Sequence, residues 1–156
     1  MRQTALRFDE QLWIQVKDAN DAARSIFDRH YSRRQTRRQN EKQFVGPGEP
    51  MVLITPNADA LFVWRKFINQ DNQPGVNCAV FRNEGPYLSS LLIEEACRLA
   101  WQKWPGERLY TYVDARKIRS TNPGACFIKA GWTRLKTRTK KRGLVVLEIL
   151  PASEAQ

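Results

Sequence analysis

The clearest change of hydrophobic period in the chain lies in residues 76–104. Val76-Asn77-Cys78-Ala79-Val80-Phe81 is a short apolar run of the kind that forms a buried strand. Arg82-Asn83-Glu84-Gly85-Pro86 interrupts it, and Leu88, Leu91, Leu92, Ala96, Leu99 and Ala100 then recur at helical spacing. This pattern predicts an amphipathic helix over 86–103. Pro86 suits the first helical position because its missing N–H leaves nothing unpaired, and Gly85 allows a tight exit from the strand. A strand, a glycine turn and an open helix N-terminus together make an anion site of backbone N–H groups. The plainer alternative is a strand–helix joint with no ligand.

The elements on either side follow from the same rules. Residues 6–17, with Leu6, Phe8, Leu12, Trp13, Ile14 and Val16, predict an opening strand of roughly five residues. Asp18-Ala19-Asn20-Asp21 offers caps for a helix whose stripe is Ala22, Ala23, Ile26, Phe27, His30 and Tyr31. Residues 32–42 contain no apolar side chain and read as a loop or exposed helix extension that orders on phosphate. After the turn cluster at 46–50, residues 51–55 and 60–67 read as strands that form an antiparallel meander with 76–81.

Pro105-Gly106 stops the central helix, and residues 108–113 return as a strand. A strand–helix–strand unit needs a crossover, so 76–81 and 108–113 should pair in parallel over their first residues. Asn122-Pro123 and Gly131 bracket a short helix, and residues 132–139 alternate. Residues 144–150 form a strongly apolar last strand, before a frayed tail at 151–156. The fold class expected is α/β: one domain over 1–150 with a mixed sheet and flanking helices.

Composition narrows the possible partners. A chain of 156 residues that is 42% hydrophobic can bury one sizeable core. Cys78, Cys97 and Cys126 are odd in number and set among apolar residues, which suits reduced thiols in a cytosolic protein. No apolar run is long enough for a membrane span, and no signal-peptide pattern opens the chain.

Charge is the most informative quantity. The net charge is +10, yet residues 32–42 contribute +4, residues 116–119 contribute +3 and residues 134–142 contribute +6. The rest of the chain is therefore negative by three charges. Positive charge this clustered implies a polyanionic partner, and DNA is the first candidate. The residues concerned are Arg33, Arg34, Arg37 and Arg38, then Arg116, Lys117 and Arg119, then Lys136, Arg138, Lys140, Lys141 and Arg142.

The order strand–helix–three strands–helix–strand–helix–two strands is similar to that of the GNAT N-acyltransferase fold, whose sheet splays between its fourth and fifth strands. Arg82-Asn83-Glu84-Gly85-Pro86-Tyr87 resembles that family's turn for the acyl-CoA pyrophosphate. Asn122, Phe127, Gly131 and Trp132 resemble its last-helix pattern. The resemblance implies cofactor-binding roles for Arg82, Asn83, Gly85, Ser89 and Asn122. Three departures argue against ordinary acyl-CoA as donor. Tyr87 is bulky where a small residue is usual, Pro86 removes an amide donor, and Phe127 lacks the hydroxyl that would protonate a thiolate.

A narrower resemblance rests on His30-Tyr31-Ser32, Arg82-Asn83-Glu84-Gly85, Tyr112-Val113-Asp114 and Asn122-Pro123-Gly124. These are similar to segments of the Mom-type phage DNA-modification proteins. That family implies an enzyme that attaches a small acetamido- or carbamoyl-type group to the exocyclic amine of adenine in DNA and so protects it from restriction. It further implies a small-molecule group donor and, for a phage-encoded protein, the host cytoplasm.

Adenine N6 is a poor nucleophile because its lone pair is delocalised into the ring, so the base must leave the stack and meet positioned groups. Under this resemblance His30, Tyr31, Asp114 and Glu84 are the catalytic candidates. Asp114 or His30 would take a proton, Tyr31 would stack or donate a proton, and Glu84 would hold an amine of the donor. His30, Tyr31 and Asp114 are also a possible ligand set for a metal such as non-haem iron. Trp64, Trp132 or Tyr112 could stack on the base or belong to the core. The plain alternatives are a core histidine, a loop-capping Asp114 and a helix-start charge at Glu84. Two other functions fit parts of the pattern: an N-acetyltransferase for a protein or small-molecule amine, and a non-enzymatic DNA-binding phage protein.

Overall fold

The computed structural model describes residues 11–29, 45–67, 73–117 and 124–152. Their elements are β1 (Ile14–Val16), α1 (Asp21–Asp28), β2 (Glu49–Ile54), β3 (Ala60–Lys66), β4 (Val76–Asn83), α2 (Ser89–Lys103), β5 (Leu109–Val113), α3 (Ala125–Lys129), β6 (Thr133–Arg134) and β7 (Val145–Ile149). All seven strands join one mixed sheet in the order β1-β2-β3-β4-β5-β7-β6. Neighbours are antiparallel except β4 and β5, which α2 connects as a crossover.

The parallel ladder is short. Val76, Asn77 and Cys78 register with Leu109, Tyr110 and Thr111, and pairing stops there although β4 runs to Asn83 and β5 to Val113. Val63 stands opposite Val80 and Trp64 opposite Cys78, so Ala79 is an extra residue in β4. A bulge of this kind bends and twists its strand. It lies where β4 and β5 cease to pair.

The sheet is covered on both faces, which is why its central strands read as continuous apolar runs rather than alternating ones. In β3, residues Ala60, Leu61, Phe62, Val63 and Trp64 are all buried. One face carries Met51, Leu53, Phe62, Trp64, Cys78 and Leu147, packed with Leu92, Ile93, Ala96 and Ala100 of α2. Trp13 and Trp64 each donate their indole N–H to an α2 carbonyl, of Leu92 at 2.8 Å and of Ala96 at 2.9 Å. On the opposite face α1 packs Ala23, Ile26 and Phe27 against Val52, Ile54, Leu61, Val63 and Val80. The Asn20 side chain caps α1 by accepting from the Ala23 N–H at 3.0 Å.

Several boundaries depart from the sequence expectation. α1 ends at Asp28, with Arg29 as its C-cap, and the His30 and Tyr31 of the expected stripe lie outside the described residues. α2 begins at Ser89 rather than Pro86, because the Asn83 side chain closes a turn by donating to the Tyr87 carbonyl at 2.8 Å and to Ser89 Oγ at 3.0 Å. β6 spans two residues, since Leu135 is the only apolar residue that follows Trp132 before the turn. Trp64 and Trp132 are core residues stacked on one another at 6.3 Å, which removes both as platforms for a base. Cys78, Cys97 and Cys126 are free thiols, and burial pushes Cys97 up to about 12 and raises Cys78 further. Among the described residues no helix is long and apolar enough to cross a membrane.

Candidate functional site

Where β4 and β5 separate, a cleft of about 170 Å³ opens, lined by Arg65 of β3, Asn77, Cys78 and Ala79 of β4, Tyr112 of β5, and Asp114, Arg142 and Leu144 beyond them. Asp114 is the residue immediately after β5, and only 5% of it is exposed. Its Oδ1 accepts from the Arg116 backbone N–H at 3.1 Å and from Arg116 Nε at 3.2 Å. Its Oδ2 is buried and has no hydrogen-bond partner. The Arg116 guanidinium holds this carboxyl below the usual carboxylate range; desolvation opposes it, and the Arg116 N–H and Lys117 reinforce it. Asp114 is therefore an anion at neutral pH with one oxygen to offer.

Arg116 also ties the loop to the last hairpin, because its Nη2 donates to the Arg142 carbonyl at 3.4 Å. Arg142 belongs to the basic turn between β6 and β7. Lys136, Arg138, Lys140 and Lys141 stand exposed on the same turn, and no acidic side chain among the described residues pairs with them. Exposed Lys117 follows Arg116. The structure thus brings Asp114, Arg116 and Arg142 together with Tyr112, as charge clustering and strand ends suggest.

Asn77 is a residue that the sequence does not single out. Its side chain is 3% exposed, and its Nδ2 is a buried donor with no partner. The only sequence signal for it is one polar residue inside the apolar run 76–81, and Arg65 likewise follows an unbroken apolar stretch.

The start of α2 is a different kind of place. A Cβ on Gly85 would come within 2.4 to 2.6 Å of the Asp59 carboxylate, so the glycine is there to admit a side chain of this chain. Asp59 is held by the Thr55 hydroxyl, which donates to Oδ1 at 2.5 Å. The Gly85 N–H donates to Asn83 Oδ1 at 3.0 Å, and Pro86 has none to give. With a carboxylate against the glycine and its amide already used, these residues do not fit the pyrophosphate of an acyl-CoA.

Glu84 and Arg82 serve a clasp. Glu84 accepts from Arg29 Nε and Nη2, both at 2.7 Å, and from Arg82 Nε at 2.6 Å, which joins the end of α1 to the start of α2. Those bonds, Arg29 first, bring the Glu84 carboxyl down to about 2. A group depressed in this way stabilises the fold above its unfolded pKa and ceases to do so as pH falls through its folded pKa. Glu84→Gln should therefore lower stability by about 1 kcal/mol or less at pH 7, since the pair is partly exposed. Denaturant midpoints of the two proteins should converge as pH falls toward about 2. A gap that persists there would show that the clasp does not act through charge.

His30, Tyr31, Arg33, Arg34, Arg37, Arg38, Arg119 and Asn122 lie outside the described residues. Of the metal set His30, Tyr31 and Asp114, only Asp114 is described. No group of three or more His, Cys, Asp or Glu among the described residues is placed to hold a metal ion. No family model matches the chain, and no curated protein or solved structure is significantly similar to it.

Proposed function

We propose that this protein is a DNA-modifying transferase of the Mom type on a GNAT-like scaffold, adding a small acetamido- or carbamoyl-type group to N6 of an adenine swung out of the duplex. The observation that carries the reading is Asp114. It is a buried carboxylate with one unpaired oxygen, at the carboxyl end of a strand where the sheet opens, beside Arg65 and Arg142. Ligands of open α/β sheets sit outside the carboxyl ends of strands. The element order and the parting of β4 from β5 support the scaffold.

The chemistry follows from the proton balance at N6. As the amine bonds to the transferable carbon of the donor, that carbon's bond to the donor's leaving group breaks and its electron pair departs with the leaving group. Positive charge develops on N6 and one N–H proton must leave. An anionic Asp114 that accepts a hydrogen bond from N6–H orients the amine and stabilises that charge. Because Arg116 depresses its pKa, Asp114 is a weak base, which leaves the final proton acceptance to His30 in this scheme. Tyr31 is the candidate for stacking on the base. The donor is a small molecule other than ordinary acyl-CoA, and a metal held by His30, Tyr31 and Asp114 would use the same Asp114 oxygen.

The basic turn grips the phosphates beside the extruded base. Changing Lys140, Lys141 and Arg142 to alanine should weaken binding to every DNA sequence alike and flatten the plot of log K against log salt by up to ~2–3 units. An unchanged slope would place the turn away from the DNA.

The decisive experiment is nucleoside mass spectrometry of DNA from cells that express the protein. A deoxyadenosine carrying the added mass is expected. Wholly unmodified nucleosides from cells containing folded protein would overturn the proposal.

A further inference from the structure

We infer that the cleft between β4 and β5 is the seat of the target base, with Asn77 and Asp114 hydrogen-bonding opposite ends of an adenine that lies against Tyr112. The inference rests on the reading of the protein as an adenine-modifying enzyme and identifies the part that recognises the base. Two polar atoms buried in one small cleft are left unpaired, a donor on Asn77 and an acceptor on Asp114. Leaving such groups unpaired is costly, and native proteins tolerate it where a ligand or catalysis supplies the reason. Both side chains are more than nine-tenths buried, so bulk solvent does not satisfy them.

Their spacing constrains the ligand. Asn77 is in register with Tyr110, and Asp114 lies four residues further along the chain. At about 3.3 Å per residue that is roughly 13 Å of backbone, so the two side chains enter the cleft at different levels. A ligand that satisfies both needs an N–H donor at one end and an acceptor across a flat body. Adenine has N6–H₂ at one end of its six-membered ring and the unprotonated N3 directly across it. Guanine and hypoxanthine present a carbonyl oxygen where Asp114 needs a donor. Cytosine has the amine, but the atom across its ring is bonded to the sugar and accepts nothing.

Size and surroundings agree. At about 170 Å³ the cleft is well below the ~300–1,000 Å³ that encloses drug-sized ligands, which suits a single base rather than a nucleotide cofactor. Tyr112 is half-buried in the cleft wall and provides a ring for stacking. Arg142, exposed at the same cleft, is the candidate for a phosphate beside the extruded nucleotide, whereas the Arg65 guanidinium stacks on the Phe67 ring at 3.8 Å.

The test measures binding of the full-length protein, at one salt concentration, to three duplexes that differ only in one unpaired nucleotide: adenine, hypoxanthine or 3-deazaadenine. Wild type should favour adenine over hypoxanthine by on the order of tenfold or more, because the bond lost is to a charged carboxylate. It should favour adenine over 3-deazaadenine by on the order of fivefold, the worth of a neutral hydrogen bond. Asn77→Leu should erase the second preference and keep the first, and Asp114→Asn should erase the first and keep the second. Equal binding of all three duplexes by wild type would overturn the inference, as would an Asn77→Leu protein that still prefers adenine to 3-deazaadenine. If a variant fails to fold, the wild-type comparison alone decides. Modified adenine in cells together with equal binding of the three duplexes would leave the proposed function standing and remove only this base seat.

Discussion

Asp114→Ala is expected to reduce modification of adenine by on the order of 10²-fold or more, with the phosphate-based binding of DNA retained and only a modest fall in melting temperature. The two halves of this expectation come from the two oxygens of one carboxylate. Oδ1 is satisfied by Arg116, whereas Oδ2 is buried without a partner. Losing the Oδ1 bonds costs stability, and losing the unpartnered Oδ2 removes a desolvation cost that offsets part of it. His30→Ala should give the same loss if His30 receives the proton.

The pH profile separates the two residues. With its pKa held below the ordinary carboxylate value, Asp114 stays charged at neutral pH and should contribute no limb to the activity profile there. An activity limb near neutral pH that vanishes in His30→Ala would assign the proton acceptance to the only histidine. Retained modification in both variants, or a loss that tracks unfolding, would count against the scheme.

The largest effect on stability is expected at Trp64. Its side chain is fully buried, donates to the Ala96 carbonyl, stacks on Trp132 and touches Phe62 with ring centroids 4.6 Å apart. It therefore joins the sheet, α2 and the segment after α3. Trp64→Ala should cost about 3–5 kcal/mol through lost burial and the cavity left behind. Against a typical total of ~5–15 kcal/mol, that brings the domain close to unfolding at room temperature. At roughly 2–4 °C per kcal/mol for a chain of this size, melting should fall by roughly 6–20 °C. A loss below about 1 kcal/mol in denaturant titration would mean that the core repacks around the gap.

The order of the elements was legible in the sequence because each element carries its own period. Leu92, Ala96 and Ala100 announce a helix wherever they are placed, and a strand–helix–strand unit of this length leaves the parallel pairing of Val76 with Leu109 as the short solution. The boundaries were less legible, since side chains rather than periodicity set them. Asn83 delays the start of α2 until Ser89, and the Arg29 N–H ends α1 by turning back to the Ile26 carbonyl at 3.1 Å. Gly85 shows how a correct local signal acquires a different cause. Its turn does require glycine, but the group that approaches is Asp59 from the β2–β3 connection, 26 positions earlier in the chain.

By itself the sequence determined an α/β domain with a mixed sheet, a concentration of positive charge in three short segments, and an acid at the end of β5. These are properties of composition and spacing, which need no partner to be read. Only the tertiary structure decided which polar groups are left over. Asn77 looks in sequence like one polar residue of a buried strand, and Asp114 like a loop cap. The parting of β4 from β5 beyond Cys78 and Thr111 opens one cleft beside both. Whether a buried donor or acceptor is satisfied depends on what every other strand and loop brings within about 3 Å of it, and no local pattern contains that information.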